Sequence, residues 1–182
     1  PKQMVESGNY IDIRFQDDVR YKKPVGIYWL QAVAVGTARG LGVPHALTTI
    51  WLYRLPSLAG GIGAVWLTYW AALALVSRRA AVLAGLMMAS CMLLGVEARL
   101  AKTDAMLIAA TVAAMGGLAR VYLSHHGAPL DARARWTAPA IVWTGVAAGV
   151  LLKGPVIVMV FGLSIVALAI ADRSTGWLAG LR

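Results

Sequence analysis

Three short stretches, far apart in the chain, carry residue types that could do chemistry together: Arg20 to Pro24 (Arg-Tyr-Lys-Lys-Pro), Glu97 to Asp104 (Glu-Ala-Arg-Leu-Ala-Lys-Thr-Asp) and Lys153-Gly154-Pro155. Lysines and arginines grouped with one or two carboxylates suit transfer from a phosphate-linked donor. Cations stabilise the charge that grows on a departing phosphate, and a carboxylate accepts the proton of an attacking hydroxyl. Glu97 and Asp104 are the only acids between Asp18 and Asp131, so their placement is not diluted by a background of surface charge. The chain has no P-loop, no GxGxxG opening a helix, no HExxH and no GxSxG, so the commonest soluble catalytic sites are absent. A phosphate-linked donor for such a chain would be a lipid.

Each of these residues also has a plainer reading. Asp104 follows Thr103 and starts an apolar run, as a helix cap or first-turn acid would. Lys153 closes one helix before a proline-started one, as a dipole partner or a snorkelling anchor would. Lys22 and Lys23 suit headgroup anchoring, and Tyr21, Tyr28 and the tryptophans suit an aromatic belt. His45, His125 and His126 have no ligand set around them and read as loop residues, so no metal site is assigned. No cofactor is named either, and a divalent cation assisting the phosphate is left open. The single cysteine, Cys91, excludes an internal disulfide and reads as a small buried hydrophobe.

The elements that must position these groups follow from composition. The 182 residues are 59% hydrophobic and 14% charged, with a mean hydropathy of +0.69, far more apolar than a soluble domain. With 17 Lys and Arg against 8 acids the net charge is +9, but the cations punctuate long uncharged runs. That pattern describes membrane topology and not a nucleic-acid face.

A helix needs roughly 20 mostly apolar residues to cross ~30 Å of hydrocarbon. About five runs approach that length: Leu55 to Ser77, Ala80 to Val96, Ala105 to Ala119, Thr137 to Leu152 and Pro155 to Ala171. The fold class is therefore all-α, a polytopic membrane helix bundle. Residues 1–54 hold four of the eight acids and read as an extramembrane loop, extended over Asn9 to Phe15, with interfacial helices at Pro24 to Ala38 and Ala46 to Tyr53. Residues 55–171 form the bundle and 172–182 a tail or loop. The chain opens at Pro1 without an initiator Met and reads as a piece of something longer.

Sidedness follows from the short loops. Arg78, Arg79, Arg120, Arg133, Arg135, Arg173 and Arg182 fall at ends of one parity, which the positive-inside rule assigns to the cytoplasm. The three charged stretches then emerge together on the opposite, periplasmic face, and residues 172–182 lie on the cytoplasmic side.

At this point the residues resemble a family. Met4 to Gln31, with Tyr21, Lys23-Pro24 and Tyr28-Trp29-Leu30, is similar to the first periplasmic loop of bacterial polyprenyl-phosphate-dependent glycosyltransferases, the group of lipid A aminoarabinose transferases and protein mannosyltransferase-like enzymes. Arg54-Leu55-Pro56-Ser57 resembles that family's opening of the next span. Ala98 to Asp104 resembles its second acidic loop, and Leu152 to Pro155 its later Lys-Gly-Pro turn. Order and spacing agree over nearly the whole chain. Any one motif is weak, and the ordered set is fairly specific.

The resemblance implies a C-type glycosyltransferase (GT-C) architecture, multi-pass in the bacterial inner membrane, with an active site at the periplasmic face. It implies Asp104 as the catalytic carboxylate and Lys23, Lys153, Arg99 and Arg20 as donor-phosphate contacts. Tyr21, Glu97 and Lys102 would be sugar or lid contacts. The family's first acidic motif, commonly assigned the base, has no counterpart here, since Asp17 and Asp18 lie too close to Lys23; its large C-terminal periplasmic part has none either.

The expected function is transfer of a sugar from a polyprenyl-phosphate donor to a periplasmic acceptor such as lipid A or core saccharide in lipopolysaccharide biosynthesis, by an enzyme of which this fragment alone would be inactive. Its partners would be the lipid-linked sugar, the glycolipid acceptor and the bilayer, with no nucleic acid. A transporter or lipid flippase is the alternative from another class, and its charges would line a midplane path instead of gathering at helix ends.

Overall fold

The computed structural model describes residues 1–15, 18–19, 24–128 and 130–182. The chain is a helical membrane bundle, as its hydropathy predicts. A short helix α1 (Lys2–Ser7) leads into a two-residue antiparallel pairing of β1 (Arg14–Phe15) with β2 (Asp18–Val19), in register Arg14 to Val19 and Phe15 to Asp18. Then come α2 (Gly26–Gly40), α3 (Ile50–Ala72), α4 (Arg78–Ser90), α5 (Met92–Ala98), α6 (Asp104–His125), α7 (Ala134–Lys153) and α8 (Val156–Asp172), and a closing 3-10 turn, Gly176–Leu181.

Each of the five apolar runs appears as helix. By length and composition α6 and α7 can cross a membrane individually, α4 and α5 pass together as a pair bent by 60°, and α8 is a shorter apolar helix of 17 residues. Large apolar side chains such as Trp66, Met87, Met92 and Ile170 stand exposed, an outer surface that only an apolar solvent or further protein would cover.

Three features differ from the sequence expectation. The interfacial piece Ala46 to Tyr53 is not a separate helix: its first half is a turn in which the His45 carbonyl accepts from the Thr48 and Thr49 amides, and its second half is the start of α3, which begins at Ile50 and runs through Pro56. Pro56 is the seventh residue of this helix, where its missing N–H removes one backbone hydrogen bond, and the helix continues through it. The run Ala80 to Val96 is not one straight span, because Cys91 takes an extended conformation and breaks the helix. Cys91 is also exposed instead of buried.

The core is built by close helix approach. On α3, the buried residues Ser57, Gly60, Gly61 and Ala64 form one stripe of small side chains that lets α3 lie against α6 and the segment before it. Antiparallel α6 and α7 pack in the same way and, with α8 and the closing turn, enclose Leu118, Val121, Val142, Phe161 and Trp177. Within this frame α2 is tied to its surroundings by Trp29, which donates to the Tyr10 carbonyl (2.7 Å), and by buried Gln31, which donates to the Tyr53 carbonyl (3.2 Å).

Candidate functional site

Helix α6 begins at Asp104 and antiparallel α7 ends at Lys153, so one short helix-to-helix distance separates two residues 49 positions apart. The Lys153 ammonium Nζ donates to Asp104 Oδ1 in direct contact. Each charge also sits where its helix favours it, the carboxylate at an N-terminus and the ammonium at a C-terminus. Asp104 is not the cap itself. That position belongs to buried Thr103, whose side chain makes no capping bond, so Asp104 projects from the first turn with about a third of its side chain exposed.

The turn that delivers Asp104 is held from α3. The Ser57 hydroxyl, fully buried, donates to the Lys102 carbonyl (2.7 Å) and accepts from the Lys102 amide (3.2 Å). The Lys102 side chain reaches back to Glu97 at 3.4 Å, and the Glu97 side chain is the more buried of the two. Arg99 is exposed at the end of α5 and makes no ion pair among the described residues.

The turn after α7 needs Gly154, whose φ of +75° is one that side-chain-bearing residues rarely adopt. Pro24 lies directly beside it, its Cγ 3.9 Å from where a Gly154 Cβ would be. Two residues on, Gly26 lets the start of α2 meet the end of α7: a Cβ there would stand 2.5 Å from the Leu151 carbonyl oxygen. Lys153, Asp104 and the Pro24-to-Gly26 segment thus share one end of the bundle. Arg20, Tyr21 and Lys23 lie outside the described residues.

An open apolar groove of about 970 Å³ runs from this end between α2, α3, α6 and α7. Its lining starts at Gly26, Met106 and Leu152, each within two or three residues of the polar cluster, and reaches Ala113 and Thr137 at the far end. From Leu152 back to Thr137 is 15 residues of helix, which at 1.5 Å per residue is roughly 22 Å. The arrangement offers a charged head site with a long hydrocarbon-lined trough below it. Among the described residues no group of His, Cys, Asp and Glu could hold a metal ion.

Sequence reasoning missed Ser57 as a positioning residue, although the Arg-Leu-Pro-Ser stretch carries it. It also missed the contact between Pro24 and Gly154. At the opposite end of the bundle, Arg120 stacks on Trp70 with 3.7 Å to the ring centroid and donates to the Trp70 and Gly116 carbonyls, so this charge is spent on structure. His126, exposed in the turn after α6 as its reading as a solvated loop residue expects, lies 3.2 Å from Asp172.

The family model for dolichyl-phosphate-mannose-protein mannosyltransferase matches residues 42–176. Two crystal structures of ArnT from Cupriavidus metallidurans share the fold. The apo state gives a TM-score of 0.82 over 99% of this chain at 20% identity, and the form bound to undecaprenyl phosphate 0.84 over 100% at 21%. In both cases the chain spans 31% of the length of the solved protein. No curated protein sequence matches the chain.

Proposed function

The chain belongs to the dolichyl-phosphate-mannose-protein mannosyltransferase family, and we propose that it is the donor-binding membrane part of a glycosyltransferase that takes its sugar from a polyprenyl-phosphate carrier. The observation that carries this reading is the continuity of the apolar groove with the Asp104–Lys153 end of the bundle. A polyprenyl phosphate is a long hydrocarbon with one anionic head. The groove has the length and the apolar lining for the hydrocarbon, and the polar end has the cation for the phosphate.

In this reading Lys153 and Lys23 hold the donor phosphate. Lys23 is bonded to Pro24, which packs on the Lys153-Gly154 turn. Arg99 supplies further positive charge at the same end, and Arg20 is the remaining cation assigned to the donor phosphate. Asp104 is the catalytic carboxylate that this chain supplies to the site, and Glu97, Lys102 and Tyr21 shape the sugar side. The site faces the periplasm of an inner membrane, and the acceptor is lipid A, core saccharide or another periplasmic hydroxyl or phosphate. The likeness to a protein solved with undecaprenyl phosphate supports the choice of carrier, and the share of that protein spanned supports reading the chain as a part of a larger enzyme.

Binding of undecaprenyl phosphate to the whole purified enzyme, followed by native mass spectrometry, tests this. Thr144 lines the groove midway and is exposed, so Thr144→Trp fills the trough without disturbing the core. Wild type binds the lipid and Thr144→Trp loses at least tenfold in affinity. Equal binding by both would place the lipid elsewhere and remove the basis of the reading.

A further inference from the structure

The two ends of α2 meet different surroundings. Its start borders the donor groove, whereas its last turn, with Arg39, opens onto a second cavity of about 350 Å³ between α1, the end of α2 and the turn that leads into α3. No residue lines both cavities. We propose that this second cavity is a binding site for the phosphodiester headgroup of an anionic phospholipid, whose acyl chains lie along the exposed apolar residues beside it.

The charges that line it are Lys2, Glu6, Arg39 and His45. Lys2 pairs with Glu6 at 3.8 Å across one turn of α1, so these two offset one another. The exposed Arg39 side chain has no ion pair or hydrogen bond among the described residues. Two cations against one carboxylate leave one positive charge, with His45 neutral, and a phosphodiester carries the single negative charge that neutralises it. A guanidinium also presents paired N–H donors that match two phosphate oxygens.

His45 is brought to the cavity by an uncommon backbone. Its φ of +56° lies in the left-handed region, which a residue with a side chain occupies only when its surroundings hold it there, and such positions gather at ligand-binding segments. The holding contacts come from Thr48 and Thr49, whose two amides and two hydroxyls all donate to the His45 carbonyl.

The apolar surroundings set the class of ligand. Val43 and Leu47 line the cavity beside the charges, and Leu41, Ile50 and Trp51, in the segments that flank the lining residues, are exposed. A soluble anion would leave that surface uncovered. A phospholipid covers it with its chains while its phosphate occupies the charged cavity, and a tryptophan such as Trp51 suits headgroup level.

The test is native mass spectrometry of the whole purified enzyme with phosphatidylglycerol, whose headgroup carries one negative charge, and phosphatidylcholine, whose headgroup carries no net charge. Wild type retains phosphatidylglycerol in preference to phosphatidylcholine. Arg39→Gln removes the preference and lowers affinity for phosphatidylglycerol roughly tenfold, the scale of one hydrogen bond to a charged group. His45→Gly takes away the imidazole at a φ that glycine adopts freely, so it lowers the same affinity several-fold while the thermal midpoint is kept. Thr144→Trp, which fills the donor groove, leaves phosphatidylglycerol binding unchanged. Equal retention of the two lipids by wild type overturns the site. So does wild-type affinity for phosphatidylglycerol in a folded Arg39→Gln, since Arg39 would then serve only the dipole of its helix. Loss of phosphatidylglycerol in Thr144→Trp would put that lipid in the donor groove and overturn the site as well. Glycerophosphoglycerol, the same headgroup without acyl chains, should leave the thermal midpoint unchanged at the lipid's concentration; stabilisation equal to the lipid's would make this a site for a soluble anion and overturn the lipid assignment. Undecaprenyl phosphate binding is read separately, so failure of the donor reading and failure of this site are distinguishable.

Discussion

Ser57 on α3 and Lys102, two residues before α6, are joined by a reciprocal pair of hydrogen bonds, the hydroxyl donating to the carbonyl at 2.7 Å and accepting from the amide at 3.2 Å. One side chain thus engages both backbone groups of a residue in the turn that sets where Asp104 emerges, its amide being shared with the Leu100 carbonyl at 2.9 Å. A buried hydroxyl fixed at both ends leaves little freedom to the segment it holds.

Ser57→Ala deletes both bonds and leaves the Lys102 carbonyl and amide without this partner. The expected cost is about 1 to 3 kcal/mol, read as a lowered thermal midpoint in detergent, together with a fall in transfer rate larger than the stability loss explains. Stability and rate both at wild-type values would show that the turn is held by other contacts.

The helices and the charged turns were legible in the sequence because hydropathy and formal charge report directly on what a bilayer accepts. Asp104 and Lys153 stood out as isolated charges bordering apolar runs, and their contact follows once α6 and α7 are antiparallel neighbours. Ser57 did not stand out, since a serine in an apolar helix carries no charge and its value lies wholly in a partner 45 residues away. The bend at Cys91 was equally hidden: hydropathy sums over a run and does not register one extended residue within it. The start of α3 at Ile50 was obscured by Pro56, which reads as a first-turn residue but is accepted further inside the helix.

Gly26 is a second place where one methyl group decides geometry. A Cβ there would meet the Leu151 carbonyl oxygen at 2.5 Å, so Gly26→Ala pushes the start of α2 off the end of α7 and carries Pro24 away from Gly154. We expect about 1 to 3 kcal/mol of destabilisation from overpacking and a larger loss in affinity for undecaprenyl phosphate. Gly36→Ala, on the same helix with open space around it, serves as the control and leaves both near wild type.

The sidedness proposed from the short loops is open to labelling. Exposed Cys91 would itself react, so the background is Cys91→Ser. In intact cells an impermeant maleimide should label Lys102→Cys and spare Arg133→Cys. The reverse pattern would invert the topology and place the Asp104–Lys153 end in the cytoplasm.

At the other end of the bundle, the Tyr122 hydroxyl donates to Asp172 at 2.8 Å and ties α6 to the end of α8. Tyr122→Phe should lower stability by about 0.5 to 1.5 kcal/mol and leave sugar transfer within a factor of two. A large loss of transfer with stability retained would reveal a link between the two ends of the bundle.

The central claim is that the carboxylate at the start of α6 takes part in transfer from a polyprenyl-phosphate donor. The direct measurement is the turnover of the whole enzyme carrying Asp104→Asn, with a polyprenyl-phosphate-linked sugar as donor and the thermal midpoint as a check on folding. Asparagine keeps the volume and removes the negative charge. The account predicts a fall in turnover on the order of 10² or more, the scale of losing one preorganised polar group at a reacting centre, with folding retained. Turnover near wild type in the folded variant would contradict it and reduce Asp104 to a first-turn charge that steadies its helix.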